Sequence, residues 1–182
     1  MRRRALALLL ATGLLAVAAL VAGCGSGRQS ELSSRVIPVD KRVAAPAVHG
    51  DLLQGGSFDL GALKGGVVVI NFWASYCAPC RTEASELEAA YADTKSDGVS
   101  FVGINVRDQR DPALAYLADV KPSWGSLFDP SAALALDFDV PPNTIPATLV
   151  VDRKGRLAAV FRAAISRDQL EPVLRNTLAE QA

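Results

Sequence analysis

The chain has 182 residues, half of them apolar and 6% aromatic, which is enough to bury one domain's core without structural disulfides or a metal. Nineteen basic residues balance nineteen acidic ones. That balance gives no support to a nucleic-acid partner, which would want a basic face, and none is expected.

Arg2, Arg3 and Arg4 open the chain, and Ala5 to Ala22 is apolar apart from Thr12 and Gly13, the layout of a secretory signal. The run ends in Val21-Ala22-Gly23-Cys24. This resembles the bacterial lipobox, where the signal is cut before the cysteine and that cysteine takes lipid. The other reading is a retained anchor, because the apolar run is just long enough to span a bilayer. In both cases the protein is held at the cell membrane, facing the extracytoplasmic side. Residues 1–23 are thus expected to be a lipoprotein signal peptide, and their removal takes three arginines and leaves a charge of −3. Residues 24–45 are rich in Gly, Ser, Gln, Arg and Glu and sustain no period. They read as a flexible tether with an r.m.s. reach of about 25 Å.

The globular domain is expected over residues 46–182. Gln54-Gly55-Gly56 separates two short apolar segments between Leu52 and Phe58, which predicts a β-hairpin. Leu63-Lys64-Gly65-Gly66 leads into Val67–Trp73, apolar on both faces and so a central strand covered on both sides. A helix is predicted from about Ala78 to Thr94, with Pro79 in its first turn. At 100° per residue, Cys80, Glu83, Ala84, Leu87 and Tyr91 share one stripe, its buried face. Further on come strand Val99–Val106, helix Asp111–Val120, an extended piece at Ser126–Phe128 and helix Pro130–Asp137. Strand Ala147–Asp152, turn Arg153-Lys154-Gly155 and strand Leu157–Arg162 make a hairpin, and a helix from Ser166, its N-cap, to Glu180 closes the domain. The alternation predicts an α/β domain with a mixed sheet.

Cys77-Ala78-Pro79-Cys80 sits at the junction of the central strand and the following helix. Two cysteines two residues apart open and close a disulfide with little backbone movement, and after a strand and before a helix the spacing reads as a redox motif. A ring this small constrains little of the unfolded chain, so it is catalytic rather than a staple. Cys77 lies where the N–H groups and dipole of the helix favour a thiolate, the attacking species. Cys80, one turn deeper, would resolve the mixed disulfide. A zinc site needs two further ligands, and Cys24 and the single histidine, His49, do not supply them, so no metal is expected. His49 reads as an exposed loop residue. Glu83 is either a solvated helix carboxylate or a carboxyl buried beside Cys80, its pKa raised by desolvation and suited to moving a proton. Pro146, in Thr144-Ile145-Pro146-Ala147, is either an edge device at a strand start or a cis-proline opposite the dithiol.

Val69-Ile70-Asn71-Phe72-Trp73-Ala74-Ser75-Tyr76-Cys77-Ala78-Pro79-Cys80-Arg81-Thr82-Glu83 resembles the active-site segment of the thioredoxin superfamily. It is closest to the TlpA/ResA-like extracytoplasmic thiol–disulfide oxidoreductases, over roughly Pro46 to Leu178. The resemblance implies a thioredoxin-like fold, a central mixed β-sheet flanked by helices, with an N-terminal β-hairpin and an extra helix-strand insert at Asp111–Val120 and Phe128. It implies that the Ile145–Pro146 bond is cis and that the family's buried glutamate falls on Glu83. It also implies that Tyr76, Pro79, Ile145 and Pro146 meet the substrate. Asn71 stands where cytoplasmic thioredoxins carry an Asp, Tyr76 replaces the usual Trp, and Ser85 replaces a helix proline.

The function implied is a protein-disulfide reductase anchored by lipid on Cys24, with no cofactor beyond the Cys77–Cys80 disulfide. It would draw on a membrane dithiol donor and reduce oxidised proteins, including the CxxCH of apocytochrome c. A DsbA-type oxidase is the alternative, but strong oxidants of that kind carry His inside the CxxC and here Ala78-Pro79 stands there. A peroxiredoxin-like enzyme would carry Thr where Ala74 is found. A non-catalytic lipoprotein with a passive disulfide is the remaining reading.

Overall fold

The structure is a computed structural model that describes residues 34–141 and 143–180. The expected signal peptide, Cys24 and the first part of the tether lie outside the described residues. The sheet carrying the fold has six strands: β1 (Ser34–Val36), β4 (Val67–Trp73), β5 (Val99–Val106), β6 (Ser126–Asp129), β7 (Ala147–Val151) and β8 (Leu157–Phe161). Their order is β1-β8-β7-β4-β5-β6. The β4–β5 and β5–β6 pairs are parallel, while β4–β7, β7–β8 and β1–β8 are antiparallel. The mixed sheet expected from the alternation is therefore present.

Every residue of β4 is buried, as a run apolar at all positions but Asn71 requires. Side chains alternate between faces. Val68, Ile70 and Phe72 enter a core completed by Val102, Ile104, Leu149 and Phe138. Val67 and Val69 enter the opposite one, with Leu87, Phe101, Leu170 and Leu174. The second core is roofed by α1 (Ala78–Thr94) and α4 (Arg167–Ala179). The buried positions of α1 are Cys80, Glu83, Leu87, Ala90 and Thr94, with Ala84 and Tyr91 half-buried, so the stripe is rotated slightly from the expected one. The insert is α2 (Arg110–Val120) followed by β6, which extends the sheet beside β5. Helix α3 (Ala133–Asp137) starts three residues later than composition suggests. The Asp129 carboxylate accepts the Ala133 and Leu134 N–H groups (3.0 and 2.9 Å) and holds Pro130–Ala132 in a turn.

The hairpin is β2 (His49–Asp51) with β3 (Ser57–Asp59), a separate two-stranded sheet. Its first strand ends further from the glycines than expected, because Leu52 and Leu53 belong to the turn, while β3 begins directly after Gly56. Leu53 donates its N–H to the Ser126 carbonyl (2.7 Å) and buries its side chain in the cluster that holds Trp73, Ala113, Tyr116 and Leu117.

The tether does not run to residue 45. Ser34–Val36 pairs with β8, Ala44 bridges Arg156, and the Arg42 side chain is buried. Arg42 donates to Asp152 (3.2 Å), to Glu180 and to the Ile37 carbonyl (3.0 Å). Composition hid this because the segment contributes a side of the sheet through its backbone and one cation, not through an apolar pattern. Among the described residues no helix is long and apolar enough to cross a membrane.

Candidate active site

The chain leaves β4 and makes a turn, Ala74 to Cys77, closed by the Cys77 N–H donating to the Ala74 carbonyl (3.1 Å). Cys77 is the N-cap of α1, with extended backbone, and Pro79 sits in the first turn, where its missing N–H costs nothing. Cys77 and Cys80 are joined as a disulfide, their Cα atoms 5.3 Å apart. The Cys80 N–H donates to Cys77 Sγ (3.2 Å), so the outer sulfur occupies the place where a helix start offers a free donor. Cys80 is the deeper of the two, 2% exposed against 7%.

Residues 67, 69, 71 and 73 of β4 share the α1 face, and this alternation aims Asn71 at the helix. Asn71 donates through Nδ2 to Glu83 (2.8 Å) and to Thr148 Oγ1 (3.1 Å). The second Glu83 oxygen accepts the Ile165 N–H (3.1 Å). Glu83 is 2% exposed and lies one turn beyond Cys80 on the buried face. Of the two readings open for Glu83, burial holds. Desolvation pushes its carboxyl up to about 7, against the opposing hydrogen bonds from Asn71 and Ile165.

A cavity of about 30 Å³ lies behind Cys80, bounded by Asn71, Trp73, Leu87, Tyr116 and Ser126. That is room for about two water molecules. Trp73 donates to Ser126 Oγ (3.2 Å) and stacks on Tyr116 with centroids 4.6 Å apart. Tyr116 donates its hydroxyl to the Cys80 carbonyl (3.3 Å), and Arg81 lies over its ring at 4.8 Å. Sequence reasoning missed Tyr116. Its place on the buried face of α2 with Ala113 and Leu117 marks it as core, and nothing in that pattern says which carbonyl it reaches.

The Ile145–Pro146 peptide bond is cis, and Ile145 packs on the cluster formed by Cys77, Cys80, Trp73 and Tyr116. Among the described residues no hydrogen bond engages the Ile145 backbone. Tyr76 stands out at 64% exposure beside the disulfide, and Pro79 is exposed. The fold therefore gathers Tyr76, Cys77, Pro79, Cys80, Glu83 and Ile145–Pro146 at one end of β4. His49 lies exposed on β2. Among the described residues, no three of His, Cys, Asp and Glu gather as a metal set.

The Redoxin profile matches residues 40–178. The thiol:disulfide interchange protein HelX of Rhodobacter capsulatus is 33% identical over 140 residues, 73% of this chain and 76% of that one. The thiol-disulfide oxidoreductase ResA of Halalkalibacterium halodurans is 24% identical over 119 residues, 65% of this chain and 66% of that one. Among solved structures, a secreted thiol-disulfide isomerase of Corynebacterium glutamicum superposes with a TM-score of 0.77 at 29% identity, covering 86% of this chain and 97% of that one. The Cys77–Cys80 disulfide at a strand-to-helix junction, the topology of the sheet and these relatives agree: the chain belongs to the Redoxin family, as a thiol–disulfide oxidoreductase of the TlpA/ResA-like kind.

Proposed function

We propose that the protein is a protein-disulfide reductase working outside the cytoplasm, with Cys77 as attacking thiolate, Cys80 as resolving thiol and Glu83 as the proton acceptor for Cys80. The observation that carries this reading is the buried Glu83 one helical turn from Cys80, poised near neutral pH. A passive disulfide needs no such group, and burying a carboxyl there costs stability. In the reduced enzyme, Cys77 thiolate attacks one sulfur of a client disulfide. The client S–S bond breaks and its other sulfur leaves as thiolate. Cys80 then gives its proton to Glu83 and attacks Cys77 Sγ, forming the Cys77–Cys80 disulfide and expelling the second client thiolate. The client gains two electrons and, with two protons, becomes a dithiol. A membrane dithiol donor reverses the change in the enzyme.

Ala78-Pro79 between the cysteines offers no imidazole to hold a very stable thiolate, which favours reduction over oxidation. Tyr76, Pro79, Ile145 and Pro146 form the client-facing surface, with the unengaged Ile145 backbone open to an extended chain. The CxxCH of apocytochrome c is the client to which the family resemblance points. The lipid on Cys24 holds the enzyme at the membrane, and the roughly ten residues from Cys24 to Ser34 span at most about 35 Å.

Replacing Cys80 with Ser tests the reading, because the mixed disulfide on Cys77 then has no resolving thiol. The expected result in cells is a reducible adduct on Cys77 whose partner carries a paired-cysteine motif. A Cys80→Ser protein that captures nothing, while wild-type Cys77 titrates as an ordinary thiol, leaves only the passive reading.

A further inference from the structure

The turn that presents Cys77 is gripped from outside by one carboxylate. Asp108, two residues beyond β5, accepts the Ser75 N–H (2.6 Å) and the Ser75 hydroxyl (2.9 Å), one on each oxygen. It also accepts Asn105 Nδ2 (3.0 Å) and the Gln109 N–H (2.8 Å). Four donors converge on a half-buried side chain that touches neither cysteine. Asn105 is fully buried, and its Oδ1 has no partner among the described residues, so its amide is oriented toward Asp108 at the expense of its own acceptor. Ser75 is the second residue of the turn closed by the Cys77 N–H and the Ala74 carbonyl. A clamp on this residue fixes how the chain enters the first turn of α1. Burial raises the Asp108 pKa, but the hydrogen bonds from Asn105, Ser75 and Gln109 outweigh it and hold the carboxyl below its usual range. It therefore stays an acceptor for all four donors at physiological pH.

We propose that Asp108 is a positioning residue for the exchange reaction: acting through Ser75, it locks the Ala74–Cys77 turn and so places the Cys77 sulfur at the start of α1. This rests on the reading of Cys77 as the attacking sulfur. The carboxylate supplies order rather than charge, since a negative group near Cys77 alone would make its thiolate harder to form. Small displacements of a nucleophile carry large rate penalties, which is why an anchor outside the reacting atoms matters.

The test compares the full reduced protein with Asp108→Ala, Asp108→Asn, Ser75→Ala and the double variant Ser75→Ala/Asp108→Ala. It reads exchange with oxidised glutathione, the ultraviolet titration of the Cys77 thiolate and the melting temperature. Wild-type exchange is measured first. If wild type exchanges nothing, the oxidoreductase reading itself has failed, independently of Asp108. The expected result is that Asp108→Ala slows exchange at neutral pH about tenfold or more and raises the Cys77 pKa. The double variant is no slower than Asp108→Ala, because both act through one contact. Ser75→Ala, which deletes a single hydroxyl, slows exchange about threefold and carries the test should Asp108→Ala not fold. A lower melting temperature with unchanged exchange and unchanged Cys77 titration overturns the proposal. So does an equal lowering of the Cys77 pKa in Asp108→Ala and Asp108→Asn, which would make Asp108 merely a repelling charge.

Discussion

Glu83 shows what a buried carboxyl costs and what it supplies. Unfolded, it titrates near its ordinary 4.5, and in the fold desolvation pushes it up to about 7. A raised acid pKa means the folded state binds more protons than the unfolded one between these values. The stability linked to Glu83 is thus full below pH 4.5 and lost as pH rises through about 7, by about 3 kcal/mol in all. Replacement by Gln removes the titration. Denaturant unfolding of the oxidised protein across this window should show a decline in wild type that is flattened in Glu83→Gln. Matching slopes in the two proteins would mean that Glu83 is ionised throughout. Its place on the Cys80 stripe was legible from the 100° periodicity, because a helix repeats without help from the rest of the chain. Its burial was one of two readings, decided only by the packing of α4 and Ile165 over it. Asp108 and Tyr116 were not legible. Their work is done across 33 and 36 residues of sequence, on Ser75 and on the Cys80 carbonyl, and no local pattern encodes such a contact.

At the scale of elements, runs with a strong period were readable and those defined by neighbours were not. The bounds of β4 and α1 follow from a run apolar at all positions but Asn71 and from a cysteine-proline start. Strand β6 has four residues and exists as a strand because β5 runs parallel beside it. The contact between β5, β6 and β4 turns on Gly103. A Cβ there would collide with Ser126 Oγ and stand 2.8 Å from Trp73 Nε1, the two atoms that hydrogen-bond across the sheet. The glycine is needed for close approach, not for a special backbone angle. Gly103→Ala should lower stability by roughly 1–3 kcal/mol, the usual cost of overfilling a packed interior. It should also shift the indole emission, since Trp73 must move from Ser126. A variant with wild-type melting and unaltered fluorescence would show that the sheet yields there at no cost.

For the whole molecule, the domain is larger at its N-terminal side than composition announces. Residues 34–45 lie along β8, and Arg42 ties them to Asp152 after β7 and to Glu180 after α4. Without them β8 becomes the sheet edge, and its backbone loses the pairing with Ser34–Val36 and the bonds to Ile37 and Val43. Ile37, packed on the larger core, and the charge-assisted bonds of Arg42 go with them. Together these losses amount to roughly 3–5 kcal/mol. A chain beginning at residue 46 should therefore unfold at markedly lower urea than one beginning at residue 34. The dithiol stands on β4 and α1, with β7 and β8 between it and the missing strand. The glutathione equilibrium of Cys77 and Cys80 should accordingly agree between the two chains while both are folded. Equal urea midpoints would restore residues 34–45 to the tether. A shifted redox equilibrium at equal foldedness would mean that the far edge of the sheet communicates with the active site.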